Sequence, residues 1–344
     1  MKKLNLYLAL FGTLLFFFGC NDEWKNEQYS QMVSLKAPIN DDVTFIYLRY
    51  TDDGEVTYKL PVIVSGSQMN NKDYSVRIGT DNDTLGLLNT QIYGHREDLY
   101  FHQLPEQFYE FPKESCFIPS GSSKELFEVN FKFAGLDLVE KWVLPLTILA
   151  DDSYTMNTYK GRQKALLNVR PFNDYSGSYG ATSMNVYFGT NTSSYMMATS
   201  RTAQVVDENT IFFYAGITEE LSDQRGEYKV KCKFLEPISV DSIYDSKTGE
   251  NTGLLLTKGE LEVSSDISDL NLHVEGTPTY TITEEFDIDR PFILKRTYTL
   301  TMTYTYEDTT SSETAAFPYR CVGTMTMQRN INTLVPFEDQ AILW

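Results

Sequence analysis

The chain has 344 residues, enough for two ordinary domains with real hydrophobic cores. Aromatic residues make up 14%, with Tyr 23 and Phe 21 against Trp 3, which favours pleated, half-buried β-structure, and 22% charged residues exclude a disordered chain. A formal net charge of -18 repels nucleic acid, whose binders are typically basic, so no nucleic-acid partner is expected.

Lys2 and Lys3 open the chain, and Leu4 to Phe18 form an apolar run interrupted by Asn5, Gly12 and Thr13. At roughly 15 residues the run is shorter than the ~20 that a membrane-spanning helix needs. Gly19 and Cys20 follow, and FFGC resembles the lipobox of a bacterial lipoprotein signal, with Phe17 where Leu is usual. The resemblance implies cleavage before Cys20 and lipid on its sulfur. Residues 1–19 are then a signal peptide and 20–30 a polar tether. Acids directly after Cys20, in NDEWKNEQYS, resemble the surface-export signal of Bacteroidetes lipoproteins. That places the protein on the outer membrane, lipid-anchored and facing the exterior. An ordinary secretory signal with an incidental Cys is the alternative.

Further along, period-two segments dominate. ELFEVNFKF sets Phe127, Val129, Phe131 and Phe133 on one face. GEYKVKCKF sets three lysines against Tyr228, Val230, Cys232 and Phe234, and RTYTLTMTYTY sets Tyr298, Leu300, Met302, Tyr304 and Tyr306 against threonines. Such alternation marks antiparallel strands with one buried and one wet face. Turn clusters such as TDDGE, SGSQMNNKD and DSKTGENTG punctuate them. No amphipathic helix longer than two turns is expected, and LPEQFYEF suits a short one. DNDTLG at 81–86 begins like a calcium loop, but Leu85 and Ile92 occupy ligand positions, so it reads as a polar turn. His95, His102 and His273 read as surface residues, and Trp142 as core. Cys116, Cys232 and Cys321 show no zinc spacing; Cys232 and Cys321 face inward as a disulfide or as free thiols. No metal or cofactor is implied.

A boundary is expected at RPFNDYSGSYG, where Pro171 breaks pairing and Asn173, Asp174 and Gly177 favour a turn. The fold class is therefore all-β, with an immunoglobulin-like sandwich over 31–171 and a larger antiparallel β-barrel or sandwich over 172–344.

YKLPVIVSG, YSVRIGTDNDTL, LPEQFYEFP, FIPSGSS and WVLPLTIL occur in this order. The series resembles the N-terminal domain of unknown function shared by Bacteroidetes surface lipoproteins of polysaccharide-utilisation loci. In some members that domain precedes a family 18 endoglycosidase barrel, in others a β-rich half without catalysis. FNDYSGSYG resembles the start of the latter. The family 18 acid run is missing: in EEFDIDRP, Pro291 stands where the acid Glu belongs. No GxSxG elbow exists either. The resemblance implies a non-catalytic protein that binds an oligosaccharide or polysaccharide beside a SusC/SusD-like complex.

Sugar rings stack on aromatic side chains. Tyr187, opposite Met184 and Val186, Tyr195 in GTNTSSYMM, Tyr244 in SIYDSKTGENTG, and the terminal Trp344 are the candidate glycan-binding residues. The competing readings are a structural or adhesive surface protein that binds a protein partner, and an unrecognised hydrolase.

Overall fold

The structure is a computed structural model that describes residues 29–37, 43–51 and 53–336. Cys20 and Trp344 lie outside the described residues. The fold is all-β. Its first half contains β1 (Met32–Leu35), β2 (Thr44–Arg49), β3 (Glu55–Ser65), β4 (Tyr74–Thr80), α1 (Asn82–Tyr93), β5 (Phe101–Gln103), β6 (Tyr109–Glu110), β7 (Ser115–Ile118), β8 (Lys124–Lys132), β9 (Lys141–Ile148) and β10 (Lys164–Phe172). One sheet has the order β1-β3-β8-β6 and the other β2-β10-β9-β4-β7, with β5 beside β9. The alternating residues of ELFEVNFKF meet Val76, Leu144, Leu146 and Val169 of the second sheet in one core. Each is fully or almost fully buried, as their period predicts.

Helix α1 departs from the expectation of a polar turn at DNDTLG. It has 12 residues, more than three turns. Asp81 is the reason: its carboxylate accepts the Thr84 N–H at 3.3 Å and the Thr84 hydroxyl at 2.7 Å, capping the helix start. Leu85 and Leu88, three apart, are buried against Val143 and Phe101 on the outer face of the second sheet. Asn89 exchanges two 2.8 Å hydrogen bonds with the Phe101 backbone and fixes the helix to β5. Trp142 departs in a smaller way. It is half-buried at the margin of the core, its ring N–H donating to the Asp137 carbonyl at 2.7 Å.

The second half contains β11 (Gly177–Phe188), β12 (Ser200–Asp207), β13 (Thr210–Tyr214), β14 (Lys229–Tyr244), β15 (Asn251–Ser264), β16 (His273–Val274), β17 (Thr279–Phe286), β18 (Ile293–Asp308) and β19 (Phe317–Asn332). Neighbouring strands run β18-β17-β15-β14-β13-β12-β11-β19, and β19 pairs back onto β18. Eight antiparallel strands thus close into a barrel. The closing seam runs from Ile293 opposite Asn332 to Asp308 opposite Phe317. Tyr298, Leu300, Met302, Tyr304 and Tyr306 all point inward and are buried. Cys232 and Cys321 are buried free thiols, as is Cys116 in the sandwich.

The turn from β10 to β11 is compact and internally bonded. Asn173 is buried; its side-chain oxygen accepts the N–H groups of Tyr175 and Ser176, and its amide donates to the Asp207 carbonyl at 2.8 Å. Arg329 of β19 donates to the Asn173 carbonyl at 3.0 Å. The sandwich also touches the opposite end of the barrel. There Arg225, 4% exposed, donates to the carbonyls of Val139 at 3.1 Å and Asp98 at 3.2 Å.

Candidate functional site

Register fixes which end of the barrel is open. β13 ends and β14 begins at the end where β18 stops, β19 starts and β11 stops. In the barrel wall Tyr306 pairs with Tyr319, and Tyr319 with Phe188. The three therefore share one inward-facing row at the rim. Tyr306 and Tyr319 stack with centroids 5.2 Å apart and planes 15° apart, and Phe188 meets Tyr319 edge-on at 5.3 Å. Tyr306 and Tyr228 are buried beneath; Tyr319 is half-exposed and Phe188 is 48% exposed. The accessible aromatic surface is thus Tyr319 with Phe188, backed by two fixed rings.

A hollow of about 600 Å³ opens over Tyr306 and Tyr319, with Phe188 outside its lining. Its second wall is the loop that carries Ile217, Glu219, Leu221, Asp223 and Gln224, and its rim is Asp308, Thr310 and Ser311. The loop reaches over Tyr306 because residue 216 is glycine. Gly216 has φ +57, and a Cβ there would sit 2.0 Å from the Tyr306 hydroxyl. Arg96 of the sandwich closes the hollow from outside. It donates to the Leu221 carbonyl at 3.1 Å while held bidentately by Asp98 at 2.7 and 2.9 Å. Both halves of the chain therefore build the site.

The rim is charged. Burial works to raise the Asp308 pKa, but hydrogen bonds from the Ser311 and Tyr228 hydroxyls and the N–H groups of Ser311 and Thr310 outweigh it and hold the carboxyl at about 2. Asp308 is an anion throughout the physiological range. Burial and the bond to Asp308 push the Tyr228 phenol up to about 12, so Tyr228 stays a donor. Under the floor Arg201 donates to the carbonyls of Ser200 and Gly216. Burial lowers its pKa against the opposing pull of nearby Tyr304 and Glu220.

Smaller hollows exist, of about 250 Å³ beside Cys116 and Phe117 and about 210 Å³ beside Leu88 and Lys164. Neither offers a stacked aromatic row. The Cys116 thiol is pushed up to about 11, chiefly by burial, and is unreactive. Among the described residues no His, Cys, Asp or Glu cluster is arranged to hold a metal.

The sequence candidates fall in different places. Tyr187 and Tyr195 meet edge-on at 6.0 Å on the outer side of the barrel wall. Tyr195 is exposed and Tyr187 half-buried. Tyr244 is 61% exposed at the tip of the β14–β15 hairpin, at the far end from the mouth. Tyr228, Tyr306 and Tyr319 were not among the candidates, because the first two alternate in phase with core residues. The acid-and-hydroxyl run EDTTSS directly after TYTY was the one available signal that this strand ends at an open rim.

Residues 24–153 match a domain of unknown function, DUF4973, and residues 163–326 match a family's C-terminal domain. A crystallised Bacteroides ovatus protein of unknown function is 41% identical, with 91% of this chain and 100% of that chain covered and a TM-score of 0.79. The chain belongs to one family with this B. ovatus protein and carries a DUF4973 domain in its first half. The family match bears out the domain of unknown function expected in the first half, and the structural match covers sandwich and barrel together. A multidomain B. ovatus protein that includes DUF1735 is 40% identical, with 91% of this chain and 100% of that chain covered and a TM-score of 0.76. An auxiliary nutrient binding protein from Bacteroides thetaiotaomicron is 30% identical, with 90% of this chain and 98% of that chain covered and a TM-score of 0.73. No curated protein matches the chain.

Proposed function

We propose that this protein is a non-catalytic, cell-surface glycan-binding lipoprotein of a polysaccharide-uptake system, with the sugar held in the barrel mouth. The observation that carries the reading is the stacked pair Tyr306–Tyr319 at a solvent-open hollow rimmed by Asp308, Thr310 and Ser311. A sugar C–H face lies on Tyr319, and the rim groups meet its hydroxyls. The relative described as an auxiliary nutrient binding protein supports it.

Calorimetry of the whole mature chain against N-glycan, mucin and plant glycan fractions tests the reading. Tyr319→Ala is expected to weaken the bound glycan by about 1–2 kcal/mol, the scale of one aromatic contact plus its burial. Tyr187→Ala, Tyr195→Ala and Tyr244→Ala test the outer sites alongside. A bound glycan indifferent to Tyr319→Ala removes the mouth as its site. Release of reducing ends would establish the hydrolase reading instead.

Anchorage belongs to the same proposal. Cys20→Ala is expected to move the protein out of the membrane fraction, and the intact mass of the native protein to show acyl chains and loss of residues 1–19. A variant still in the outer membrane at unchanged mass defeats the anchor.

The second reading, a surface protein that binds a protein partner such as a SusC/SusD-like complex, is favoured by the apolar far end of the barrel. Val240, Phe286 and Ile288 are exposed there, Ile288 at 94%. Under that reading no glycan fraction binds.

A further inference from the structure

The charges around the mouth narrow the class of ligand. The hollow is lined by three carboxylates, Glu219, Asp223 and Asp308, against one guanidinium, Arg96. Arg96 is already committed: Asp98 holds it bidentately and the Leu221 carbonyl takes a further N–H. The two other arginines nearby are committed as well. Arg225 is buried and spends its donors on the carbonyls of Val139, Asp98 and Ser222. Arg201 lies under the floor, bonded to carbonyls, with the Glu220 carboxylate as its electrostatic neighbour. Asp308 cannot relieve the field by taking up a proton, since five hydrogen bonds from Tyr228, Thr310 and Ser311 are organised around its charged form.

We infer that the mouth selects uncharged oligosaccharides and rejects glycans that carry uronate, sialate or sulfate groups. The inference rests on the glycan reading above and goes beyond it in naming the ligand class. An anionic sugar entering the hollow meets like charges on the loop wall and on the rim, with no uncommitted guanidinium among the lining residues to answer it. Like charges brought together in a concave site repel more strongly than on an open surface. Hydroxyl groups carry no such penalty, and the same carboxylates accept hydrogen bonds from them.

The test is titration calorimetry of the whole mature chain with matched pairs. Suitable pairs are sialylated and desialylated forms of one N-glycan, and xylan oligosaccharides with and without glucuronate branches. At low ionic strength the neutral member is expected to bind at least about tenfold more tightly, which is 1.4 kcal/mol. In 0.5 M salt the gap is expected to shrink several-fold, because the screening length falls below the width of the hollow. Glu219→Gln combined with Asp223→Asn, both at exposed positions, is expected to raise the affinity for the acidic member relative to the neutral one. Equal or tighter binding of the acidic member, lost on Tyr319→Ala, overturns the charge inference and leaves the glycan site standing. A preference for the neutral member that the double substitution does not change also overturns it, since the preference then arises elsewhere. If no member of any pair binds, the glycan reading fails and the inference with it.

Discussion

Gly323→Ala is expected to lower the melting temperature of the intact chain by roughly 10 °C. Gly323 sits in β19 where the barrel wall is tightest, opposite Met184 of β11 and Met302 of β18. Its φ is +141, and a Cβ would lie 1.9 Å from the Ser183 carbonyl oxygen. The obstacle is backbone, so no side chain can rotate away. The β11–β19 ladder already carries an irregularity between Gly180 and Ser183, where the wall bends. Strain at a glycine-only φ costs about 1–3 kcal/mol, and overpacking a closed wall costs about 1–3 kcal/mol more. In a domain of this size each kcal/mol lowers the transition by about 2–4 °C. Gly249→Ala is the control. Gly249 has φ +73 but nothing within 4 Å of the added Cβ, so only the conformational part remains. Differential scanning calorimetry separates the two. A Gly323→Ala shift no larger than that of Gly249→Ala would show that the wall yields without cost.

Arg225→Ala is the second large effect, on how the two halves hold together. Arg225 is a buried cation whose donors reach Val139 and Asp98 of the sandwich and Ser222 of the mouth loop, with the Glu140 carboxylate 3.6 Å away. Truncation strands these carbonyls in the seam and opens a gap between Val139 and the barrel. Stranded buried acceptors cost about 1–3 kcal/mol each, less where water enters, so about 3 kcal/mol in total is expected. Lys229, paired with Asp137 at 2.7 Å, is a more exposed contact and contributes less. The expected signature is a split in the calorimetric trace, the sandwich and barrel melting separately where the native chain melts as one. The sequence leads to the expectation that fragments 30–170 and 173–344 each fold alone. Arg225 adds that each fragment melts below its counterpart in the intact chain. An unsplit trace with unchanged midpoint would show that the compact turn at Asn173–Ser176 is sufficient to couple the halves.

The periodicity of the sequence translates directly into the barrel interior. In RTYTLTMTYTY every second side chain is buried, because a strand in a closed wall has only two faces. Alternation names the face and says nothing about position along the barrel. Tyr304 and Tyr306 read alike in sequence, yet one sits inside the packed core and the other directly below the open rim. That difference depends on where β18 ends relative to β13 and β19, which only long-range register sets. Helix α1 was hidden for another reason. Asp81 and Asn82 are turn residues by composition, and the same side-chain chemistry caps a helix. With two buried leucines on its inner face, the apolar stripe is too short to outvote them. The part played by Arg96 and Arg225 was beyond any local pattern, since each acts across more than 80 residues of chain.

Ring closure has a consequence for how this protein keeps to itself. A barrel sealed along β18 and β19 offers no strand edge there for a neighbour to extend. The seal is incomplete along β14. β13 pairs with β14 only as far as Lys233, so no described strand borders the rest of β14 on that side, up to Tyr244. This segment carries Ile238 and Val240 exposed, the composition of an aggregation template. It is also where the strand is least regular. Pro237 has no N–H to offer, and the β14–β15 register slips on both sides of it and again after Ser242. Asp241 adds a charge midway. This open tract of β14 is therefore kinked, charged and short of donors, which favours single molecules over fibrils at high local concentration.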